Sequence, residues 1–389
     1  MSNTLTVSDL TEILYQARDK VVAEPVGAMN SVLVNAGSEG VSIGGTVKSA
    51  VTAAPTLNTS VTPAMTVPAA DDQTVTANEL TIGQTANVRI PLVGEAVAQL
   101  AATIGWAAAY EQLLAQGIRV IRNAIEAHVL TVGYKGASRA VGTAGTTPFA
   151  TSHGLIVQAH QILIDNGCPE DDGTTSLVLG TTACSNLKLL SNIYKVNEAG
   201  GDDVLRRGVI TDIDGVMIKK SAQVQSHTKG AGTGYDADLA AGYAVGATTI
   251  HLDGGTVNTT GIKAGDVVTF AGDTNKYVVN TGTTEIEEDI ILNKPGLRVA
   301  LDDTDEMTIG DSYAANLMFH RNAIELVMRP PAEPPGGDAA SAQVTLLDEV
   351  SGLVFNAAIY KGYRMNSIDI TCYYQAKVWK SEFVAALLG

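Results

Sequence analysis

The chain has 389 residues, enough for two or three domain-sized units at ~100–200 residues each. Hydrophobic residues make up 45% and charged residues 17%, which excludes a charge-rich disordered chain. Lys and Arg number 25 against 41 Asp and Glu, a formal charge of −16 that argues against tight binding to nucleic acid phosphates and against a polybasic membrane role.

Aromatic residues are 5% and glycines number 39, so Ala, Val, Thr and Gly set a texture of strands and turns. Met1-Ser2-Asn3-Thr4 shows neither the charged region nor the apolar core of a signal peptide. The uncharged stretch 96–110 falls short of the ~20 apolar residues that span a bilayer. A protein of the reducing cytosol is expected, with Cys168, Cys184 and Cys372 reduced and buried.

Residues 8–23 read as an amphipathic helix. Leu10, Ile13, Leu14, Ala17 and Val21 recur every three or four positions, Ser8 offers an N-cap, and Pro25 ends the pattern. Between residues 36 and 88 the sequence turns to Val, Thr, Ala, Gly and Pro, with alternations such as Thr46-Val47-Lys48-Ser49-Ala50-Val51 and prolines at 55, 63 and 68. So few large apolar side chains cannot make a core. The pattern predicts an extended two-stranded arm with its tip at residues 56–68, marginal by itself and in need of a neighbouring chain. Residues 90–132 predict helix, with Leu100, Ile104, Tyr110, Leu113, Leu114, Ile118, Ile121, Ile125, His128 and Val129 on one stripe. Gly105 divides a short helix from a long one at 106–132, a spine ~40 Å in length.

After a Gly-rich connector at 133–148, a helix is expected at 153–166, closed by Asn166-Gly167. A buried strand at 176–180 and a helix at 181–191 follow. Residues 206–218 predict two strands around Asp214-Gly215. Residues 226–311 look inserted: they hold 5 basic and 14 acidic residues. Short alternating runs at 248–252, 266–270, 276–279 and 289–292 predict a small closed β-barrel there. Residues 316–327 resume the outer domain, and 330–335 form a stiff proline-rich spacer. Three strands are expected near 353–360, 367–374 and 377–386.

A search for chemistry is negative. There is no Gly-x4-Gly-Lys loop, no His-Glu-x-x-His and no Gly-x-Ser-x-Gly elbow. His153 and His160 lie seven apart on one helix face but lack completing ligands, and read as capping or surface residues. The acidic runs 285–289 and 302–306 lack calcium-loop spacing and read as solvated rims. Trp106 and Trp379 are isolated, as core or interface anchors are. No catalytic, cofactor-binding or metal-ligating residue is predicted, and no enzyme activity.

The order of elements resembles the major capsid protein of tailed bacteriophages, and more narrowly the coat proteins of short-tailed phages with an inserted β-barrel. Four stretches carry the resemblance. Ile162-Leu163-Ile164-Asp165-Asn166-Gly167-Cys168-Pro169-Glu170-Asp171, with Leu177-Val178-Leu179 and Thr181-Thr182-Ala183, is similar to the helix–turn–strand of the capsid outer domain. Arg206-Arg207-Gly208-Val209-Ile210-Thr211-Asp212-Ile213-Asp214-Gly215 resembles the strand pair before the insertion. Asn316-Leu317-Met318-Phe319-His320-Arg321-Asn322-Ala323-Ile324-Glu325-Leu326-Val327 resembles the return from it, and Tyr374-Gln375-Ala376-Lys377-Val378-Trp379-Lys380-Ser381-Glu382-Phe383-Val384 the common C-terminal strand.

The resemblance implies the α+β capsid fold of tailed phages and herpesvirus shells. Its parts would be an N-terminal arm with helix (1–35), an extended β-hairpin arm (36–89), a peripheral domain with the spine helix (90–150) and a first axial part (151–225). The inserted β-barrel (226–311) and a return to the axial and peripheral domains (312–389) complete it. The implied function is self-assembly in many copies into an icosahedral shell around a double-stranded DNA genome, within the host bacterial cytoplasm. The implied partners are further copies in hexamers and pentamers, a scaffolding protein, a portal, and packaged DNA met without sequence-specific binding. Some relatives cross-link an arm lysine to a neighbour's asparagine; Lys48 is the sole arm lysine, its surroundings do not support that chemistry, and no cross-link is expected. The competing reading is a secreted or tail-associated carbohydrate-binding or hydrolytic β protein. It requires clustered aromatics and a carboxylate pair.

Overall fold

The computed structural model describes residues 27–52, 63, 75–95, 106–170, 173–195, 210–256, 260–347 and 353–389. The helix expected at 8–23, nearly all of the arm tip at 56–68, and residues 206–209 lie outside the described residues. In chain order, β1 (Leu33–Ala36) precedes β2 (Thr46–Thr52), β3 (Val75–Thr81), β4 (Gln84–Val93), the helix α1 (Trp106–Lys135) and β5 (Arg139–Val141). Next come α2 (Gly154–Asp165), β6 (Thr175–Leu179), α3 (Thr181–Leu189), β7 (Asp212–Ile213) and β8 (Val216–Lys220). Short strands follow: β9 (Ser226–His227), β10 (Tyr235–Ala237), β11 (Thr249–Asp253), β12 (Val267–Phe270), β13 (Lys276–Thr281), β14 (Glu288–Leu292) and β15 (Glu306–Ile309). The rest is β16 (Tyr313–His320), β17 (Ile324–Arg329), β18 (Ala342–Leu347), β19 (Val354–Gly362), β20 (Met365–Val378) and β21 (Val384–Leu388).

The α/β part is a sheet in the order β5-β21-β16-β6-β8-β7. Its strands β6, β16 and β21 are covered on both faces, which is why they read as unbroken apolar runs rather than alternations. Leu177, Leu179, Met318, Ala385 and Leu387 face α2 and α3, where Ile156, Ala159, Leu163, Ala183 and Leu187 meet them. Val178, Leu317, Phe319, Val384 and Ala386 face the opposite way, into the core of α1. Each large aliphatic side chain buried here contributes roughly 1.5–3 kcal/mol. Helix α2 ends in the expected manner: Gly167, at φ 82°, donates to Ile164 O, and Cys168 N–H donates to Leu163 O. Asp214 and Gly215 both take positive φ, 56° and 73°, the two-residue turn that suits a hairpin between β7 and β8.

A second sheet runs β1-β17-β20-β19-β18, with β4 on the far side of β20. Helix α1, 30 residues or about 45 Å long, crosses from this sheet to the α/β sheet. Leu114, Ile118, Ile121, Ile125, Val129 and Tyr134 bury along it, while Leu113, expected on the stripe, is exposed. Its C-terminal turn meets the strands closely. A Cβ on Gly133 would stand 2.4 Å from Leu317 Cδ2, and one on Gly136 would stand 2.6 and 2.8 Å from Val378 Cγ2 and Cβ. Gly136→Ala is therefore expected to cost about 1–3 kcal/mol of unfolding free energy through overpacking, measured by urea denaturation.

The strands of 226–311 pair in a circuit: β12 with β15, β15 with β10, β10 with β11, β11 with β14, β14 with β13, and β13 back to β12. All six pairings are antiparallel, and they enclose their own core of Tyr235, Ile250, Leu252, Val268, Phe270, Tyr277 and Ile290. The ring is bonded to the body rather than hung from it. β13 pairs with β5, Asn293 Nδ2 donates to Lys135 O and Ala137 O at the end of α1, and Tyr313 Oη donates to Gly265 O. His227 Nε2 lies 2.7 Å from buried Asp266, beside the rings of Tyr134 and Tyr313.

Five expectations need correction. Among the described residues the arm expected over 36–89 is confined to β2 and β3, because β1 pairs with β17 and β4 with β20 in the body sheet, and the connector expected at 133–148 holds the end of α1 and β5. Residues 90–93 are strand, not helix, because Ala86, Val88, Ile90 and Leu92 alternate toward the core. The strands expected at 367–374 and 377–386 are divided elsewhere: β20 runs unbroken to Val378, and a 3₁₀ turn at Ser381–Phe383 starts β21. Strand β18 was not foreseen at all.

Candidate functional site

The part of the chain least able to satisfy itself is the ribbon of β2 and β3. Its register runs from Thr46 opposite Thr81 to Thr52 opposite Val75. Among the described residues these strands pair only with each other, so each leaves one edge of backbone N–H and C=O groups unpaired. An exposed edge of this kind is a template for another chain. Among the described residues the ribbon is held at its base: Leu80 and Ile82 bury against Val327, with Val41, Val47, Tyr373 and Trp379 around them. Lys377 Nζ donates to Glu79 O, and Lys48 pairs with Glu79 across the ribbon at 3.4 Å. Both members of that pair are exposed, so it adds little to stability.

Buried carboxylates fix the framework under the ribbon. Glu325 accepts from Asn35 Nδ2 and from Trp379 Nε1, the latter at 2.7 Å. Asp369 faces Arg89 across β4 and β20, with Arg89 Nη2 at 2.8 Å; that bond and charge hold the Arg89 guanidinium above its ordinary value. Glu126, on α1, accepts from the backbone N–H of Gly27, Ala28 and Met29 at 2.7–2.8 Å and fixes the chain's path before β1. His128 on the same helix accepts from Ala376 N–H, and burial lowers its pKa, in keeping with an imidazole that must stay neutral to accept.

Other surfaces face outward. At the turn between β19 and β20, Tyr363 is 91% exposed, next to the exposed pair Met365 and Val93. Strand β18 pairs only with β19 among the described residues, leaving a further edge.

The residues weighed from sequence are placed as follows. His153 precedes α2 and makes no side-chain cap bond. His160 is buried, against its surface reading, and meets Asp214 Oδ2 at 3.0 Å, tying α2 to the β7–β8 turn. Trp379 is a half-buried anchor at the ribbon base; the side chain of Trp106 lies outside the described residues. Cys168, Cys184 and Cys372 are buried thiols outside any disulfide, and burial pushes the Cys372 thiol up to about 12. The acidic stretches 285–289 and 302–306 lie almost wholly in solvent.

One grouping was not legible in the sequence. Asp238, His251 and Glu287 bring ligand atoms within 4.8 Å of one another on the outside of the ring. His251 Nδ1 bonds Asp289 at 2.7 Å, and that bond, then the surrounding acids, raise the His251 pKa. A raised folded-state pKa means the attraction is complete below the ordinary histidine value of ~6.5 and fades as pH rises through the folded value. In an NMR titration His251 should therefore titrate above ~6.5, and Asp289→Asn should bring it back down.

No protein-family profile matches the sequence, and no curated protein matches it. Solved structures do. The capsid structure of the cyanophage P-SCSP1u aligns with a TM-score of 0.50 at 10% identity, over 94% of this chain and 88% of that one. The fold is that of a phage capsid chain. The mature capsid of bacteriophage PhiM1 aligns at a TM-score of 0.45 and 11% identity, covering 92% and 85% of the two chains. A chain from Mycobacterium phage Che8 aligns at 0.46 and 15%, covering 88% and 84%. The capsid resemblance read from the sequence thus holds as a likeness of fold, and it fits the mixed α+β architecture. No helix among the described residues is long and apolar enough to cross a membrane.

Proposed function

We propose that the chain is the major capsid protein of a tailed bacteriophage, assembling in many copies into the icosahedral shell around double-stranded DNA. The observation that carries this reading is a two-stranded ribbon that, among the described residues, has both outer edges unpaired and meets a capsid-fold body at its base. Such a ribbon gains most by lying on a second copy, and repeated heterologous contacts of this kind close into rings and shells. Many weak contacts per copy then add up to a stable particle.

In this reading 46–81 is the arm, α1 the spine helix, and 226–311 the inserted β-barrel domain. The barrel assignment is supported by the circuit of strand pairings and by a core of its own. Hexamers and pentamers of the chain, a scaffolding protein and a portal are the partners, and the acidic balance suits a container that holds DNA without gripping its phosphates. The role is structural rather than enzymatic. Overexpression in a bacterium, with and without a scaffolding protein, followed by sedimentation and negative-stain imaging, tests the reading. Closed particles are expected. A strict monomer under every condition overturns it.

A further inference from the structure

Where the ring meets the body, β5, β13 and α2 enclose a cleft of about 500 Å³. Its walls are polar: Gln158, Gln161 and Asp165 come from α2, Asn275 and Lys276 from β13 and the turn before it, and Arg139 from β5. Arg139 is 6% exposed. Its Nη1 donates to Asn275 Oδ1 at 3.1 Å, but neither Nε nor Nη2 has a hydrogen-bond partner. Asp165 Oδ2 stands 3.7 Å from Nη2, near enough for charge attraction and too far for a hydrogen bond.

The two unsatisfied nitrogens are adjacent on one edge of the guanidinium plane. That edge offers two parallel N–H groups, the geometry that takes both oxygens of a carboxylate or phosphate. A buried charged donor pair left unmet is costly and rare in folded proteins, and calls for a partner. The surrounding charge favours a negative one. Arg298 lies close enough to add to burial in pushing the Arg139 pKa down, and Lys276 Nζ sits on Gly142 O at the same cleft. Asp165 and Asp273, the latter bonded to Asn275, offset part of this charge and leave a small positive excess in a chain of net charge −16.

We propose that the cleft binds a small oxyanion, held by Nε and Nη2 of Arg139 in two parallel hydrogen bonds. The amides of Gln158 and Gln161 supply further donors and Lys276 adds charge, while Asn275 Nδ2 is held by Asp273 Oδ1 at 2.7 Å. Neither guanidinium nitrogen is reached by solvent, so Asp165, whose side chain is 40% exposed, turns outward as the anion enters. The bound anion bridges β13 of the ring and β5 and α2 of the body, and so ties the two together. This inference stands apart from the shell-forming role and holds or fails without it.

The test uses the full chain in chloride buffer at constant ionic strength, titrated with inorganic phosphate. Isothermal calorimetry and the thermal unfolding midpoint are read together. Saturable binding with a rising midpoint is expected, since a ligand that binds only the folded state stabilises it. Arg139→Gln should weaken binding roughly a hundredfold, as loss of a charged two-bond contact does. Asp165→Asn removes the competing carboxylate and should tighten binding several-fold, whereas a merely structural Arg139–Asp165 pair would give lower stability and no change toward phosphate. The absence of saturable binding to the unmutated chain overturns the proposal. So does undiminished binding by Arg139→Gln, and should that variant fail to fold, unchanged or weaker phosphate binding by Asp165→Asn is equally decisive.

Discussion

Glu126→Ala is expected to lower the unfolding free energy by about 3–5 kcal/mol, the range seen when one partner of a buried charged contact is removed. The carboxylate is fully buried and is the acceptor for three consecutive backbone N–H groups, at Gly27, Ala28 and Met29. Alanine leaves those donors without an acceptor and opens a hole beside Ile125 and Val129, which are also fully buried. Glu126→Gln retains one acceptor oxygen and should recover part of the loss. Urea denaturation followed by circular dichroism measures both, and a change below ~1 kcal/mol for alanine would show that the three bonds matter little to the fold. Ala28, Met29 and Val32 are buried just ahead of β1, so the segment that releases is the one feeding the edge of the six-stranded sheet.

Replacing residues 50–77 by Asn-Gly should abolish particle formation while leaving the subunit folded. Ser49 and Asn78 are opposite each other in the ribbon, so a two-residue Asn-Gly turn closes the shortened hairpin without strain. The base contacts of Val47, Leu80 and Ile82 remain, and with them the packing on Val327 and Trp379. What is lost is the outer part of the ribbon, including the unpaired edges of β2 and β3 that the proposed function lays on a second copy. Sedimentation should show small species in place of shells, with an unchanged far-ultraviolet spectrum after allowing for the deleted strands. Normal particles from this variant would remove the ribbon from the assembly mechanism.

Much of the fold is legible because local patterns and final packing agree. The apolar runs around Leu177 and Leu317 mark strands covered on both faces, Asn166-Gly167 marks the end of α2, and Asp214-Gly215 marks a hairpin. Legibility fails where tertiary contacts decide. Ile90 fits a helical stripe and a strand alternation equally, and only pairing of β4 with β20 selects the strand. Ala342-Gln343-Val344-Thr345-Leu346 does alternate, with Ala342, Val344 and Leu346 on the core side, so β18 was legible as a short period-2 run and was missed beside the proline-rich 330–335. Glu126 did leave a signal: a carboxylate beside Ile125 within an apolar helical stripe demands a buried partner. That partner, the backbone of residues 27–29, lies about a hundred residues upstream and bears no side-chain signature. The cleft at Arg139 is less legible still, since β5 has three residues and its neighbours come from two other, distant stretches of chain.

The position of β21 sets an order of events during synthesis. It lies between β5 and β16, parallel to the first and antiparallel to the second, so the middle of the α/β sheet stays open until Val384–Leu388 has been made. β5 leaves the ribosome far earlier and must wait for it. A nascent or truncated copy that lacks these five residues therefore has an unfinished body, with β5 and β16 left without the strand that joins them.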